Sequence, residues 1–336
     1  MTATRIAVIG AGSWGTALAN LLADNGHNVC LWAHEAELVA RMTRDLVNDL
    51  YLPAIPLNPA LHFSADLAQA VGGCPVVLMV PPSQVMRQLA SQLRPHLAAE
   101  ATVISASKGI ENDSLMLMSQ VLAEVLAERT PRLADLSGPS FAREVAQGMP
   151  TAVVAASSDP ATAELVQQLF SNRFFRVYTD GDTIGVELAG ALKNVIALAA
   201  GIAEGLGFGN NTRAALITRG LAEITRLGVT LGAEPATFAG LAGMGDLVLT
   251  CTGALSRNRT VGLELGQGRS LQDILQGMTM VAEGVKTTLS AYQLAGKLGV
   301  EMPITTQAYR ILYEGKDCRT AVGELMLRDP RPERDL

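Results

Sequence analysis

Lysine is the side chain through which this sequence could move a proton near neutral pH. Only five of its 26 basic residues are lysines, and arginine does not deprotonate in proteins. Lys193 falls in an apolar segment, and its neighbours at helical spacing, Ala189, Gly190, Ile196 and Ala197, are mostly small. Such a face allows close helix packing or leaves space for a ligand, and an amine desolvated there has a lowered pKa suited to acid–base chemistry. The alternative is a lysine that extends from the helix surface into water.

A carboxylate is the second group that could take part in this chemistry. Asp246 directly follows a glycine-rich turn, LAGMG, at residues 241–245. The four histidines all occur before residue 97, outside this turn and outside the lysine segments. A His–Asp proton relay is therefore not expected, and Lys193 is the preferred acid–base candidate.

Three loops carry groups that could bind an anion. Lys108 follows a predicted strand, and ligands of open α/β sheets bind beyond the carboxyl ends of the strands. Ser140 also follows a predicted strand and is expected to cap a helix, whose exposed start attracts anions. Ser256, Arg257 and Asn258 combine a guanidinium, which matches phosphate oxygens bidentately, with neutral donors. Each loop also has an ordinary structural explanation: a solvated lysine, a capped turn or a solvated basic turn.

The segment RIAVIGAGSWGTALANLL, residues 5–22, predicts a strand, a glycine turn and a helix that begins near Trp14. In a G-x-G-x-x-G loop of this kind Gly10 forms the tight turn, Gly12 lets backbone N–H groups approach a pyrophosphate, and Gly15 allows close strand–helix packing. The pyrophosphate then lies at the positive end of the helix. The sequence predicts a dinucleotide site here; the alternative is a glycine turn with nothing bound.

The end of the second predicted strand bears on the choice of dinucleotide. An NAD-selective fold ends this strand on Asp or Glu, which binds the ribose hydroxyls and repels a 2′-phosphate. Here the strand ends on Ala33, followed by His34 and Glu35. Glu35 could still serve as that acid, and His34 and Glu35 could simply begin the next helix. We expect NADP, with NADPH favoured, without excluding NAD.

The distribution of strands predicts the fold class. Short apolar strands alternate with helical segments up to residue 178, and the remainder is Ala- and Gly-rich helical sequence. Alternation of this kind indicates a mostly parallel, doubly wound sheet covered on both faces. We predict an α/β dinucleotide-binding domain over residues 1–180 and an all-α domain over residues 181–336. The proline-containing stretch 51–59 is predicted to be an irregular loop.

Composition limits the partners. The net charge is −6, so a nucleic-acid partner is not expected and phosphate recognition should be a local pocket. The four cysteines are scattered without metal-ligand spacing, which fits a reducing compartment without a metal site. The uncharged run 67–86 contains Gly72, Gly73, Pro75, Pro81 and Pro82, which would leave backbone groups unsatisfied in lipid. With the first strand beginning near residue 5, we expect a cytoplasmic protein without stable membrane insertion.

Seven segments in register resemble the bacterial NAD(P)-dependent glycerol-3-phosphate dehydrogenases: GAGSWGTALA, VPPSQV, SASKGIE, LSGPSFARE, ELAGALKNVIALAAGI, LAGMGDLVLTCTGALSRNR and VAEGVKT. The resemblance covers nearly the whole chain. It implies a Rossmann domain followed by an all-α domain like the C-terminal domain of 6-phosphogluconate dehydrogenase. It also implies reversible hydride transfer between NAD(P)H and dihydroxyacetone phosphate, which supplies glycerol 3-phosphate for glycerophospholipid synthesis, and a homodimer.

The resemblance also implies a role for particular residues. Lys193 would accept the proton in the oxidation direction. Besides the turn glycines, cofactor contacts would come from Ser13, Trp14, His34, Lys108, Ala142, Arg257, Val281 and Glu283. Contacts to the phosphorylated substrate would come from Lys108, Gly138, Ser140, Asp246, Ser256, Arg257 and Asn258.

Two other functions fit parts of the pattern. A reductase of the same build that acts on a hydroxy acid would need only one anion clamp, whereas Lys108, Ser140 and Arg257 offer several donors suited to a phosphate. A catalytically silent dinucleotide sensor would leave Lys193 and the loop around Arg257 without a role. Nicotinamide absorbance with and without dihydroxyacetone phosphate separates the three.

Overall fold

The computed structural model describes residues 3–278, 281–330 and 332–333. The chain forms two compact units, which we treat separately. Unit 1 comprises Met1–Ser107 and Met118–Thr183, and unit 2 comprises Lys108–Leu117 and Ile184–Leu336. The segment Lys108–Leu117, which the sequence assigned to the first domain, thus groups with the helical unit. Its Ile110 and Leu117 pair as an antiparallel bridge and are buried in the core of unit 2.

Unit 1 is built on a mostly parallel sheet, as the sequence predicts. Six strands in the order β5-β2-β1-β6-β7-β8 run parallel, which is the doubly wound arrangement. Strand β9 pairs antiparallel with β8, and β10 continues parallel to β9. The ten described strands of the unit are β1 (Arg5–Ile9), β2 (Asn28–Trp32), β3 (Val47–Asn48), β4 (Leu52–Pro56), β5 (His62–Ser64), β6 (Val76–Met79), β7 (Thr102–Ser105), β8 (Arg132–Ser137), β9 (Thr151–Ala156) and β10 (Phe175–Asp180).

Seven helices accompany this sheet in the described part of unit 1. The central strands are apolar and buried, with Ile6, Val8 and Leu78 fully shielded from solvent. Strands buried on both faces are expected where helices cover both sides of a parallel sheet. The helices are α1 (Ser13–Asp24), α2 (Ala36–Asp45), α3 (Leu67–Val71), α4 (Met86–Leu93), α5 (Met118–Val125), α6 (Ala142–Ala146) and α7 (Pro160–Phe170).

Two local predictions in unit 1 are wrong. The stretch 51–59 is not wholly irregular, because β4 pairs antiparallel with β3. Proline disfavours a strand interior but is tolerated at strand ends and edges, and the two prolines of β4 lie in a short two-stranded ribbon. Ser140 does not cap a helix: α6 begins two residues later, with Phe141 at its N-cap, and the Ser140 hydroxyl donates to the Gly138 carbonyl oxygen instead (3.1 Å).

Unit 2 contains helices and connecting loops, and no strand, among its described residues after α8 begins, as predicted. The helices are α8 (Thr183–Gly205), α9 (Asn210–Thr230), α10 (Pro235–Phe238), α11 (Asp246–Thr252), α12 (Arg257–Gly266), α13 (Leu271–Gln276), α14 (Glu283–Leu298), α15 (Pro303–Glu314) and α16 (Cys318–Met326). A single π-helical turn, Leu241–Gly245, leads into α11. Such turns are rare and frequently occur at functional sites.

Helix α8 is the core of unit 2. It is long and apolar enough to cross a membrane, but 94% of its most apolar window is buried inside the folded chain, as in the core helix of a globular domain. Leu188, Leu192 and Val195 contribute to the central apolar cluster. This burial accounts for the all-round hydrophobicity of the helix.

Glycines allow α8 and α12 to touch through their backbones. A Cβ built on Gly201 would lie 2.1 Å from the Arg259 carbonyl oxygen, and one on Gly262 would lie 2.1 Å from the Leu198 carbonyl oxygen. Both distances are far inside van der Waals contact, so larger residues would force the helices apart. The contact fixes the helix that begins with Arg257 against the helix that carries Lys193.

Candidate active site

The glycine turn of unit 1 lies where the strand order reverses. Gly10 follows β1, adopts φ = +117°, and its Cβ position is only 2.8 Å from the Val80 carbonyl oxygen that follows β6. Strands β1 and β6 are adjacent in the sheet, and the chain leaves them in opposite directions along the strand order. The crevice beyond the carboxyl ends of two such strands is the usual ligand site of open α/β sheets.

Gly12 and Gly15 play different steric roles in this turn. A Cβ on Gly15 would lie 1.9 Å from the Gly10 carbonyl oxygen, so Gly15 is required for the turn itself. A Cβ on Gly12 would meet no protein atom within 4 Å, and Gly12 forms the N-cap of α1 without a side-chain hydrogen bond. Among the described residues, no side chain therefore fills the space next to Gly12 at the start of α1. This cradle fits a dinucleotide pyrophosphate.

Trp14 adds a second feature to the start of α1. Its indole Nε1 is buried and has no hydrogen-bond partner among the described residues. A buried N–H without an acceptor is costly and is usually explained by an unseen partner or a functional role. The ring packs against both apolar clusters of unit 1 that flank α1.

The end of β2 presents a non-acidic edge, as the sequence indicated. Ala33 is buried, and His34 is exposed immediately after it. Glu35 accepts a hydrogen bond from the Tyr51 hydroxyl (3.2 Å), so the nearby carboxylate already has a protein partner. Glu35 also forms the N-cap of α2.

Gly138 and its neighbours follow β8 in the same unit. Gly138 adopts φ = +143°, and a Cβ there would lie 2.9 Å from the Cα of Val153 on β9. Ser140 and Phe141 continue the turn, and Ala142 begins α6. The positive φ makes glycine the residue this turn requires.

Unit 2 brings two lysines onto one buried carboxylate. The Lys193 and Lys108 ammonium groups both donate to Asp246, Lys193 to Oδ1 and Lys108 to Oδ2 at 2.6 Å. Asp246 is fully buried and the Lys193 side chain is only 10% exposed. The three residues come from α8, the N-terminal edge of the segment 108–117 and the start of α11. The structure therefore excludes the surface position for Lys193 that the sequence left open.

Burial changes the acidity of Lys193. The pKa of its ammonium group is lowered to about 7: loss of solvation lowers it most, the carboxylate of Asp246 opposes this, and the positive charge of Lys108 adds to the lowering. An amine with this pKa populates both protonation states near neutral pH. It can therefore donate or accept a proton as the reaction requires.

Thr250 supports Asp246 and was not singled out from the sequence. Its hydroxyl donates to the Asp246 backbone carbonyl oxygen (2.6 Å) and lies 3.4 Å from Oδ1 of the same residue. The two residues are four apart on α11, so the i, i+4 spacing after a glycine-rich turn was the signal available. Burial raises the pKa of the next residue, Cys251, to about 12, and this thiol is therefore not a nucleophile.

The two arginines at the start of α12, Arg257 and Arg259, have different environments. Ser256 caps α12 by accepting a hydrogen bond from the Arg259 backbone N–H (3.3 Å). The Arg259 guanidinium binds Glu204 on α8 through two bonds of 2.9 and 2.7 Å. Arg257 is exposed and makes no hydrogen bond within the described residues, while Glu283 acts on it electrostatically. Arg257 is thus the arginine of this loop that is available to an anion.

The remaining predicted residues lie around the start of α14. Val281 is half exposed, Ala282 is the N-cap and Glu283 is the first helical residue. The Gly284 backbone N–H donates to Oδ1 of Asn258 (2.9 Å). Residues 279 and 280, which precede this segment, lie outside the described residues.

The fold assigns the predicted residues to two groups. The predicted residues of unit 2 form the lysine–aspartate cluster, the Arg257 loop and the start of α14; they are Lys108, Lys193, Asp246, Ser256, Arg257, Asn258, Val281 and Glu283. The predicted residues of unit 1 lie in the glycine turn, at the end of β2 and in the turn after β8; they are Gly10, Gly12, Ser13, Trp14, Gly15, His34, Gly138, Ser140 and Ala142. Glu204, which neutralises Arg259, was missed because nothing in the local sequence links residues 55 positions apart.

A doubly wound unit with an open glycine turn at its topological switch point and a helical unit with a buried ammonium group of lowered pKa are the features of a dinucleotide-dependent dehydrogenase. The comparisons with known proteins identify the family. Residues 5–163 match the N-terminal model of NAD-dependent glycerol-3-phosphate dehydrogenase, and residues 182–323 match the C-terminal model. The chain belongs to the NAD-dependent glycerol-3-phosphate dehydrogenase family.

Individual relatives are similar in sequence and structure over nearly the whole chain. The glycerol-3-phosphate dehydrogenases [NAD(P)+] of Geobacter sp. strain M21 and Geobacter sulfurreducens are 62% and 63% identical to it, over 98% of this chain and 99% of theirs. A crystal structure of glycerol-3-phosphate dehydrogenase from Coxiella burnetii is 42% identical, with a TM-score of 0.94 over 97% of this chain and 99% of that one. These findings confirm an NAD(P)-dependent oxidoreductase that acts on a small phosphorylated substrate.

Proposed function

We propose that Lys193 is the general acid and base of the reaction between dihydroxyacetone phosphate and sn-glycerol 3-phosphate. The observation that carries this proposal is the burial of its ammonium group on Asp246, with the pKa lowered to about 7. The reduced nicotinamide, when bound, supplies the hydride that reaches the ketone carbon. Lys193 stabilises the negative charge that develops on the ketone oxygen and donates a proton to it; in reverse, the neutral amine accepts the hydroxyl proton.

Asp246 and Lys108 set the state and direction of that amine. Asp246 accepts from both lysines, so its carboxylate holds the Lys193 nitrogen in one orientation. Lys108 adds a second positive charge, which favours deprotonation of Lys193 and is suited to attract a phosphorylated substrate. Thr250 restrains Asp246 from the next turn of α11.

Arg257 is the proposed anchor of the substrate phosphate. Its guanidinium is exposed and unpaired within the described residues, unlike that of Arg259. Ser256 and Asn258 flank it, and we propose that Gly138 and Ser140 of unit 1 also contribute to substrate binding. Because the phosphate does not react, its binding energy is available to orient the ketone.

The glycine turn is the proposed pyrophosphate site. Gly12 leaves the start of α1 open, and Ser13 and Trp14 supply the first backbone N–H groups of the helix. His34, Ala142, Val281 and Glu283 are the further cofactor contacts that the family resemblance supports.

NADPH is the proposed preferred reductant. The second strand ends on buried Ala33 rather than on an acid, and the Glu35 carboxylate two residues later accepts a hydrogen bond from the Tyr51 hydroxyl instead of being free for the ribose hydroxyls. The test is the ratio of kcat/KM for NADPH and NADH. A clear preference for NADH would reject the proposal, and Glu35→Gln would then show whether this carboxylate binds the ribose.

The reaction itself is tested by nicotinamide absorbance with purified protein. Oxidation of NADPH should require dihydroxyacetone phosphate and should not occur with an unphosphorylated ketone such as dihydroxyacetone at the same concentration. Equal rates with both ketones would reject the anion anchor at Arg257. A lack of turnover despite tight dinucleotide binding would favour a sensor.

The proposed cellular role is supply of glycerol 3-phosphate for glycerophospholipid synthesis by a cytoplasmic homodimer, which the family resemblance supports. Depletion of the protein in its host should arrest growth, and external glycerol 3-phosphate should restore it. Light scattering after gel filtration should give twice the 35.3 kDa chain mass. A monomer that retains full turnover would exclude the dimer as a requirement.

A further inference from the structure

Asn48 lies at the end of β3, and its side chain reaches the glycine turn between β1 and α1. Asn48 is fully buried, and its amide Nδ2 donates to the Ala11 carbonyl oxygen (2.8 Å) and to the Thr16 hydroxyl oxygen (2.8 Å). The Thr16 hydroxyl in turn donates to the same Ala11 carbonyl oxygen (3.2 Å). Thr16 is also fully buried. One carbonyl group of the turn is thus held by two side chains that are 32 positions apart in the sequence.

The other end of the Asn48 side chain is bonded to its own two-stranded ribbon. Its Oδ1 accepts from the Tyr51 backbone N–H (3.0 Å), and Asn48 pairs with Leu52 of β4. Leu52 and Ile55 of this ribbon pack against Ala17 of α1. Both N–H groups of the carboxamide and its oxygen therefore have protein partners, which is consistent with only one orientation of the amide.

The direction of the Ala11 carbonyl determines the direction of the Gly12 N–H. The two groups belong to one peptide, and a planar trans peptide points its C=O and N–H in opposite directions. No peptide bond of the described residues is cis. Because Asn48 and Thr16 hold the carbonyl on the buried side of the turn, the Gly12 N–H points away from that side. This N–H donates to no group among the described residues, so it is available to an anion.

We propose that Asn48 is a positioning residue that keeps the glycine turn in the form that binds a dinucleotide pyrophosphate. This inference rests on the proposed pyrophosphate site at that turn. Asn48 is fully buried, so it acts through the Ala11–Gly12 peptide and not by contact with the ligand. The glycines on both sides of Ala11 allow this peptide many orientations in the unfolded chain, and the two side-chain donors select one of them. A turn fixed in advance loses less conformational freedom when its ligand binds.

Variants of the two donors test whether their hydrogen bonds set the affinity of the turn. Asn48→Ala removes all of the side-chain bonds, and Thr16→Val removes the hydroxyl while the shape of the side chain is kept. Each should raise the dissociation constants of both NADPH and NADH by about tenfold, the scale of one or two hydrogen bonds. The factor should be the same for the two dinucleotides, because the pyrophosphate is common to both. Titration of nicotinamide fluorescence measures these constants.

Two matched variants separate this effect from a general loss of stability. Thr16→Ser retains the hydroxyl and should bind both dinucleotides as the wild type does. Asn172→Ala removes another asparagine of unit 1, whose Oδ1 accepts from the backbone N–H groups of Phe174 and Phe175 (2.8 Å each). It should lower the melting temperature without changing either dissociation constant.

The dinucleotide-free protein gives a second readout. The amide resonance of Gly12 in the proton–nitrogen correlation spectrum should shift or broaden in Asn48→Ala and in Thr16→Val, because the peptide that carries this amide is no longer held. The resonance should keep its position in Thr16→Ser and in Asn172→Ala. An unchanged Gly12 resonance in Asn48→Ala would show that Asn48 does not hold the turn.

Three binding results would also overturn the proposal. Unchanged dissociation constants in Asn48→Ala, with only thermal stability reduced, would assign Asn48 a purely structural role. Equal weakening by Thr16→Ser and Thr16→Val would show that packing of this side chain matters and its hydroxyl does not. A loss confined to one dinucleotide would locate the effect at the end of β2, where the Tyr51 hydroxyl donates to Glu35. Failure of the proposed pyrophosphate site has a different signature: Gly12→Ala would then bind NADPH normally, and the change in the Gly12 resonance would persist.

Discussion

The glycine turn of unit 1 and the lysine–aspartate cluster of unit 2 show two ways of building a functional site. The turn is made within six consecutive residues, and its properties are steric: Gly15 must be small for the protein, and Gly12 is open for a ligand. The cluster combines residues 53 and 138 positions apart, and its properties are electrostatic. One site depends on the absence of side chains, and the other depends on the removal of water from a charge.

This difference predicts which kinds of change each site tolerates. A methyl group should disable the turn, whereas the cluster should respond to changes in charge with its shape preserved. The following experiments test that contrast, beginning with the largest effect.

Removal of the amine should have the largest effect. Lys193→Ala should lower kcat by at least about 100-fold, the usual scale of general acid–base catalysis. Lys193→Arg retains a positive charge but cannot release its proton, so it should also fail in oxidation of glycerol 3-phosphate. Lys297→Ala, an exposed lysine on α14, is the control. Steady-state rates near those of the wild type in Lys193→Ala would remove this residue from the mechanism.

The two arginines of α12 should behave differently. Arg257→Ala should raise KM for dihydroxyacetone phosphate by about 10- to 100-fold, the value of a charged hydrogen bond of about 1.5–3 kcal/mol. Arg259→Ala should lower thermal stability with little change in KM, because its guanidinium is committed to Glu204. An unchanged KM in Arg257→Ala would show that the phosphate binds elsewhere.

The turn glycines should separate folding from binding. Gly12→Ala should fold normally yet weaken NADPH binding by about tenfold, comparable to the cost of an added methyl group in a packed space. Gly15→Ala should lower the melting temperature, because its Cβ would overlap the Gly10 carbonyl oxygen. NADPH fluorescence and thermal unfolding measure the two effects, with Gly181→Ala, which has open space around it, as the control. Tight NADPH binding by Gly12→Ala would contradict the pyrophosphate assignment.

The smallest effect should be a shift in pH dependence. Reduction of the ketone requires the ammonium form of Lys193, so kcat/KM for reduction should fall as pH rises through about 7, and oxidation should rise over the same range. The charged groups that act on this amine are Asp246 and Lys108.

Lys108→Met should move that midpoint upward, because Lys108 disfavours the charged form of Lys193. The substrate phosphate titrates identically with both proteins, so the difference between their profiles isolates the effect of the lysine. Coincident profiles would show that Lys108 does not influence the acidity of Lys193.

Local sequence patterns predicted the turn well and the anion loops only in part. Strand, glycine turn and helix occur in consecutive residues, so the order of residue types specifies the geometry. Ser140 was expected to cap a helix, but α6 begins later and its hydroxyl bonds to Gly138. Serine after a strand allows either local bond, and the order of residue types does not specify which one forms.

The sequence by itself determined the doubly wound unit, the helical unit and the family, since these follow from hydrophobic periodicity and from motifs read in order. Only the tertiary structure decided that Lys193 is buried on Asp246, that Arg259 is paired with Glu204 and that Arg257 has no ion pair within the described part of the chain. Burial and ion pairing depend on which residues, distant in sequence, come into contact in the fold. The resulting loss of solvation and the nearby charges set the pKa of a side chain. The sequence therefore gives the types of the site residues, whereas the fold determines their protonation and whether they are available to bind a ligand.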